Sequence, residues 1–163
     1  MKKQYMSKRA SEQEITLYCY MGESVIAVQH LEDCLSHSIV LKSLQPALRS
    51  EADTALTNYR SYTLGRAIKF AEKNKIYSES LVNQLREFLS ERNWLIHKSI
   101  AQSRDKWDSA ESRGGMLLRI KTVSQNAFVL SRKIEEDLIK FAEENGIDMT
   151  RVKAAIENYY SES

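Results

Sequence analysis

The segment from Ser90 to Lys98 places an arginine, an asparagine and a histidine close together in the middle of the chain. Arg92, Asn93 and His97 fall within six consecutive positions, which is less than two turns of an α-helix. Arginine side chains bind anions, and histidine side chains transfer protons near neutral pH. The cluster is therefore either a chemical site or a set of polar residues that braces the fold.

The surrounding sequence predicts that this cluster lies on an amphipathic helix. With about 100° of rotation per residue, Arg92 falls at the centre of an apolar stripe, and Asn93 and His97, four residues apart, share its border. Arg86 and Ser90 lie beside them on the same helical wheel. The stripe itself is formed by Leu81, Leu85, Phe88, Leu89, Leu95 and Ile96.

A second charge falls inside an apolar stripe on the first long helix. Glu32 lies within about 20° of the centre of that stripe. The stripe residues are Met21, Val25, Val28, Leu35 and Ile39. Because charged side chains in a protein core are usually paired, we expect Glu32 to face Arg92. Such a pair alone would give Arg92 a purely structural role.

Length and composition favour a single all-α domain. The chain has 163 residues, of which 42% are hydrophobic and 28% are charged, enough for one core and too few for two. The chain has only one proline and five glycines. Few residues therefore interrupt secondary structure, which favours long helices over short strands. The formal net charge of +2 does not indicate a broad basic surface for nucleic acid, although it leaves room for a small one.

The chain divides into a flexible N-terminus, residues 1–10, and one helical domain, residues 11–163. Ser11 and Glu14 form a capping box at the start of the first helix. That helix should end before Pro46, because the residue that precedes a proline avoids the α region. The predicted architecture is a bundle of four long helices plus a short C-terminal helix.

The remaining helices follow from caps and apolar periodicity. After a loop and a helical turn over residues 45–60, the expected helices run from Ser61 or Thr63 to about Lys75, from Ser78 to about Ala101, from about Gly115 to Asn145, and from Asp148 to Tyr160. A polar connection from Arg104 to Gly115 should separate the central helix from the last long one.

The cysteines and the other histidines give no sign of a metal or cofactor site. Cys19 and Cys34 would be about 22 Å apart on one helix, beyond the reach of a disulfide, and we interpret them as reduced, packed thiols. His30 and His37 are two helical turns apart, too far to share a metal ion without outside ligands. The sequence has no Glu-x-x-His ligand set, which disfavours a metal-dependent helical-bundle enzyme.

The sequence predicts a cytoplasmic protein. Its N-terminus is basic but lacks the apolar run of a secretory leader. No segment is long and apolar enough to span a membrane, so no membrane association is expected. Cysteines without disulfide spacing fit a reducing compartment.

The segment Arg92-Asn93-Trp94-Leu95-Ile96-His97 resembles the Arg-Asn-x-x-x-His signature of HEPN domains, all-α bundles that carry this motif on the third main helix. Two further features are similar to uncharacterised bacterial members of the family. They are the segment Thr63-Leu64-Gly65-Arg66 in the preceding helix and a polar linker before a long helix. The resemblance covers the chain from about Ser11 to Gly146, and the motif is its sharpest part.

The resemblance implies a metal-independent endoribonuclease of the toxin or defence type that uses no cofactor. In active HEPN domains two protomers pack along this helix, so that two arginines and two histidines line one shared cleft. His97 would then act as general base or general acid, Arg92 would bind the scissile phosphate, and Asn93 would orient one of the two. Dimerisation would gather the cations that hold the RNA: Arg86, Arg92, Lys98 and Arg66.

An alternative from another class is a catalytically inactive HEPN-like interaction module, in which Arg92 and His97 only brace a helical dimer. Trp94 lies on the flank away from the apolar stripe. An exposed tryptophan there would be a dimer contact, although the indole could instead pack under the fourth helix. HEPN toxins with a nucleotidyltransferase antitoxin carry a tyrosine two residues after the histidine, where this chain has Ser99. The sequence therefore does not decide whether this chain has an antitoxin partner.

Overall fold

The computed structural model describes residues 9–44, 49–106 and 109–161. Within these ranges the chain forms seven α-helices and no β-strand, so the predicted all-α class is confirmed. No helix among the described residues combines the length and the apolarity needed to cross a membrane. The helices are α1 Glu12–Leu44, α2 Arg49–Arg60, α3 Leu64–Lys73, α4 Glu79–His97, α5 Ser99–Lys106, α6 Ala110–Glu144 and α7 Thr150–Ser161.

The two longest helices, α1 and α6, run parallel and bury each other's apolar faces. Ser24 Oγ donates a hydrogen bond to the Ile120 carbonyl at 2.9 Å near the start of the pair, and Lys42 forms an ion pair with Asp137 near its end. Removing these faces from water is the main favourable term in folding. The apolar side chains that are at most 1% exposed along this contact are Leu31, Leu35, Ile39, Ile120, Val123, Ala127 and Ile134.

Helices α3 and α4 form an antiparallel hairpin that packs beside this pair. Thr63 and Ser78 cap the two helices, and each side chain accepts a hydrogen bond from a backbone N–H three residues later. Gly65 lies where α3 contacts α4, and a Cβ atom there would be 3.4 Å from Cδ2 of Leu89, an ordinary van der Waals distance. The hairpin places α4 antiparallel to α6.

Helix α2 corrects the prediction for residues 45–60. Instead of a loop and a helical turn, a helix of 12 residues runs over Arg49–Arg60. Of its described side chains only Tyr59 is buried, and its ring packs against Tyr62 and Phe70 with centroid separations of 5.0 and 5.3 Å. Only one described side chain of α2 is buried, and its sequence accordingly shows no clear apolar period. The packing of Tyr59, Ala55 and Leu56 against the core stabilises the helix.

The central helix ends earlier than predicted. It stops at His97 with Lys98 as its C-cap, and α5 begins at Ser99, whereas a single helix was expected to reach about Ala101. Ser99 Oγ donates to the Leu95 carbonyl, and a serine bonded in this way tends to bend a helix. His97 and Lys98 therefore lie at a helix end.

Helix α6 begins earlier than predicted, at Ala110 rather than near Gly115. Ser109 caps it by accepting a hydrogen bond from the Ser112 amide at 3.1 Å. The packing of a helix of 35 residues outweighs the cost of glycine at Gly114 and Gly115, about 1 kcal/mol each.

The other helix ends agree with the sequence. The Ser11 amide donates to Glu14 Oε2 at 2.7 Å, and Ser11 Oγ accepts from the Glu14 amide, which is the expected capping box. Asn145 caps the end of α6, and Gly146 follows it with a φ of 77°, the left-handed conformation that glycine favours. Residues 1–8 of the predicted flexible N-terminus lie outside the described residues.

The four helices that were predicted as long correspond to α1, α3, α4 and α6, and the short C-terminal helix corresponds to α7. Helix α3 has only 10 residues, and α2 and α5 add to the predicted set. Apart from Ala142, the buried apolar side chains of the described residues form one cluster. That the helices are arranged as in HEPN domains stays a prediction.

Replacing Leu31 by alanine should lower the free energy of unfolding by about 2–5 kcal/mol, because the change leaves a cavity in the α1–α6 contact. Leu31 is 0% exposed and Leu118 is 67% exposed. Leu118→Ala should therefore change stability by less than about 0.5 kcal/mol. Urea unfolding followed by circular dichroism measures both values, and equal losses would contradict this placement of Leu31.

Candidate functional site

The three predicted catalytic residues lie on one arc at the C-terminal end of α4. Arg92, Asn93 and His97 span about 140° of the helix circumference, and the first and last are separated by about 7.5 Å along the axis. Asn93 and His97 are exposed, and Arg92 is half-buried. The structure therefore brings the three residues to one side of α4 but does not enclose them.

Arg92 is held against α1 by Glu32. Its Nε donates to Glu32 Oε1 at 3.2 Å, and the two side chains are 23% and 29% exposed. The contact expected between the two apolar stripes is thus present in the structure. Among the described residues Glu32 engages the guanidinium through Nε, which leaves both terminal amino groups of Arg92 for a ligand. The ion pair thus fixes the position of the guanidinium group and leaves its terminal amino groups able to bind a ligand.

The groove between α4 and α6 does not contain the candidate residues. An open groove of about 500 Å³ lies between α4 and α6, and neither Arg92, Asn93 nor His97 lines it. Its walls are formed by Gln84, Glu87, Phe88, Glu91, Asn126, Val129, Leu130 and Lys133. Asn93 and His97 are thus exposed outside this groove, and Arg92 is half-buried beside α1.

The structure corrects the expectation that Trp94 is an exposed dimer contact. Trp94 is 5% exposed, because the Arg119 guanidinium of α6 stacks 3.7 Å above its ring. Arg119 also donates two hydrogen bonds to Glu91, both at 3.2 Å. The indole Nε1 donates to Gln102 Oε1 at 2.8 Å. Trp94 thus packs under the fourth long helix, the other reading of its position, and fastens α5 and α6 to α4.

Two of the three predicted substrate-binding cations already have partners. Arg86 forms an ion pair with Glu72 of α3, and the Arg66 guanidinium stacks 3.8 Å from the centre of the Tyr62 ring. Lys98 is exposed at the C-cap of α4. An RNA backbone at this surface would therefore compete with Glu72 for Arg86, which limits the electrostatic gain.

A second group of polar side chains, which the sequence analysis overlooked, joins α1 to α6. His30 and Cys34 of α1 meet Glu135 of α6, with Cys34 Sγ 3.7 Å from His30 Nε2 and 3.8 Å from Glu135 Oε1. In the sequence, His30 was paired only with His37 as a possible metal ligand. The spacing of four residues between His30 and Cys34 could have indicated this group, since residues four apart are neighbours on a helix surface.

The two cysteines differ in their surroundings. Cys19 is exposed and Cys34 is half-buried, so the expectation of a packed thiol is wrong for Cys19. Burial, followed by the negative charge of Glu135, raises the pKa of Cys34 to about 12. The Cys34 thiol therefore keeps its proton near neutral pH and is a poor nucleophile.

Comparison of the chain with known proteins gives no match, whether to family models, to curated proteins or to solved structures. Function is therefore argued from the geometry of the described residues and from the resemblance of the Arg92–His97 segment to the HEPN signature.

The ion pair between Glu32 and Arg92 should stabilise the fold by about 1 kcal/mol, between the values typical of exposed and of buried pairs. A double-mutant cycle with Glu32→Ala and Arg92→Ala measures this coupling by urea unfolding. The more exposed pair of Glu91 and Arg119, at 39% and 44%, should give at most about 0.5 kcal/mol in the same experiment. A Glu32–Arg92 coupling of zero would show that the contact contributes nothing in solution.

Proposed function

We propose that this chain is a metal-independent endoribonuclease of the HEPN-like toxin or defence type, which acts as a dimer with a shared cleft. The observation that carries the proposal is that α4 holds both a group that can bind a phosphate and a group that can transfer a proton. An anchored guanidinium, that of Arg92, keeps its terminal amino groups for a phosphate, and an exposed histidine, His97, lies one and a half turns away on the same arc. RNA is the substrate because it carries its own nucleophile, the 2′-hydroxyl.

Arg92 would bind the scissile phosphate. A planar guanidinium forms charge-assisted hydrogen bonds with two phosphate oxygens and stabilises the negative charge that grows on them in the transition state. The hydrogen bond from Nε to Glu32 limits rotation of the side chain, so less conformational entropy is lost when the phosphate binds.

His97 would move the protons. As general base it takes the proton of the 2′-hydroxyl, whose oxygen attacks the adjacent phosphorus while the bond from phosphorus to the 5′-oxygen breaks. A protonated histidine gives its proton to the leaving 5′-oxygen. The products are a 2′,3′-cyclic phosphate and a 5′-hydroxyl, and the reaction requires no metal ion. Asn93, four residues before His97, would orient the imidazole or the phosphate.

The geometry favours a second copy of the chain. Within one protomer Arg92 and His97 are about 140° apart around α4, so they flank a common point rather than face each other. A second α4 packed alongside would oppose each arginine to the partner's histidine and supply both the base and the acid. Ile96 and Ile100 are 40% and 56% exposed at this end of α4 and in α5, where such a contact would bury them.

The second candidate function is a catalytically inactive HEPN-like interaction module. Two observations favour it: Glu32 neutralises Arg92, and Glu72 neutralises Arg86. In that case the exposed apolar residues at the end of α4 serve dimerisation, and the ion pair serves stability.

The test is a cleavage assay on single-stranded RNA with EDTA present, in which the wild type should leave cyclic-phosphate ends. His97→Ala should reduce the rate by about 10²–10⁴-fold, the usual contribution of a general acid or base. Arg92→Ala should reduce it by about 10²–10³-fold, as for the loss of one group that stabilises transition-state charge.

Matched controls exist elsewhere in the fold. His37 is half-buried on α1, and Arg60 forms an ion pair with Asp33 much as Arg92 does with Glu32. His37→Ala and Arg60→Ala should cleave at the wild-type rate. If the wild type, folded by circular dichroism, does not cleave, the ribonuclease proposal fails and the interaction module takes its place.

The dimer makes a separate prediction. Ile96→Glu should shift the protein from dimer to monomer in light scattering after gel filtration, because a carboxylate cannot be buried in the contact without cost. Cleavage should fall with the dimer fraction. Ile26 on α1 is 68% exposed, and Ile26→Glu should leave both properties unchanged. A dimer that survives Ile96→Glu would place the contact elsewhere.

A further inference from the structure

The group of His30, Cys34 and Glu135 has the dimensions of a metal site. Around a tetrahedral Zn²⁺ ion with usual bond lengths, a sulfur and a nitrogen or oxygen ligand lie about 3.6 Å apart. The observed separations from Cys34 Sγ are 3.7 Å to His30 Nε2 and 3.8 Å to Glu135 Oε1. All three ligand atoms lie within 4.8 Å of one another, so a rotation of the carboxylate would close the third side of the triangle.

The three side chains stand on rigid elements. His30 and Cys34 project from neighbouring turns of α1, and Glu135 comes from the facing part of α6. Leu31, Leu35 and Ile134, which adjoin these residues in sequence, are at most 1% exposed. A site held on packed helices keeps its geometry better than one held on loops.

The donor set also has a consistent chemistry. A thiolate, an imidazole and a carboxylate are each ligands of Zn²⁺, and one thiolate with one imidazole favours zinc over the hard ions Mg²⁺ and Ca²⁺. With Cys34 ionised and His30 neutral, the ligands carry two negative charges, which the ion cancels. The three side chains are half-buried, so a neutral complex is suited to the site.

We propose that His30, Cys34 and Glu135 form a Zn²⁺ site that fastens α1 to α6, with a water molecule as the fourth ligand. On binding, the bond from sulfur to hydrogen of Cys34 breaks, the proton passes to solvent, and sulfur forms a bond to zinc without any change of oxidation state. His30 binds through Nε2 and Glu135 through a carboxylate oxygen.

This site is separate from the cluster on α4. On α1, Glu32 is turned by about 160–200° from His30 and Cys34, so the ion pair with Arg92 and the zinc site border the buried face of α1 on its two sides. The zinc proposal therefore does not depend on ribonuclease activity, and either can fail without the other.

The experiment uses the full chain without an affinity tag, freed of metal with EDTA, returned to EDTA-free buffer and kept reduced with a phosphine. Titration with Co²⁺ should give one equivalent of binding, with a near-ultraviolet sulfur-to-cobalt charge-transfer band and the visible bands of a four-coordinate ion. Zn²⁺ should displace the cobalt. Zinc at about a hundredfold excess over its Kd should raise Tm by roughly 5–10 °C.

The variants separate this site from adventitious binding. Cys34→Ser and Glu135→Gln, which keep the size of the side chains, should lose the stoichiometric binding and the rise in Tm, and Cys34→Ser should also lose the charge-transfer band. Cys19→Ser and His37→Gln, changes on the same helix outside the site, should keep all three properties. Two results would overturn the proposal: no stoichiometric binding by the wild type, or a band that survives Cys34→Ser and disappears in Cys19→Ser.

Discussion

The mutual burial of α1 and α6 is the contact on which the rest of the fold depends. The two helices run parallel, so the chain between them has to return, and α4 fills that return in the antiparallel direction. Helix α4 is held there by its buried apolar side chains, among them Leu85, Phe88 and Leu95. Arg119 of α6 adds contacts to Glu91 and Trp94. The position of α4 is what allows Arg92 to reach Glu32. The candidate site is thus a consequence of how α4 is clamped to α6.

The borders of the buried face of α1 explain where polar chemistry is tolerated in this fold. Its centre is closed to water and holds only apolar and small hydroxyl side chains. At each border a side chain is partly hydrated and still near a neighbouring helix, so a charge there keeps some solvation and gains a partner. One border carries the pair of Glu32 and Arg92. The other carries His30 and Cys34 opposite Glu135.

The sequence predicted the local features of this structure better than the long-range ones. N-caps and C-caps are set within a few residues, and they were found at Ser11, Ser78 and Asn145. The buried face of α1 is wider than the predicted stripe, because Ser24 and Ala27, which are 1% and 3% exposed, are too small or too polar to count in an apolar pattern. Glu32 lies toward one side of this face, and its side chain is 29% exposed.

The positions that the sequence left open or missed depend on contacts between distant segments. Trp94 is covered by an arginine, which a hydrophobic pattern does not register as a packing partner. The group of His30, Cys34 and Glu135 exists only when α1 and α6 are aligned in one particular offset, and the sequence shows only the two members that share a helix.

The parallel contact of α1 with α6 also has a consequence for how the protein is made. Ser24 and Ile120 are separated by 96 positions, and Cys34 and Glu135 by 101. At a synthesis rate of about 5–20 residues per second, α1 leaves the ribosome roughly 5–20 s before its partner helix. During this time its apolar face has no native cover. The small and hydroxyl residues on that face include Ser24, Ala27 and Ser38. They make the exposed face of the newly made helix less hydrophobic than an all-leucine stripe would be, and so lower the risk of aggregation on the ribosome.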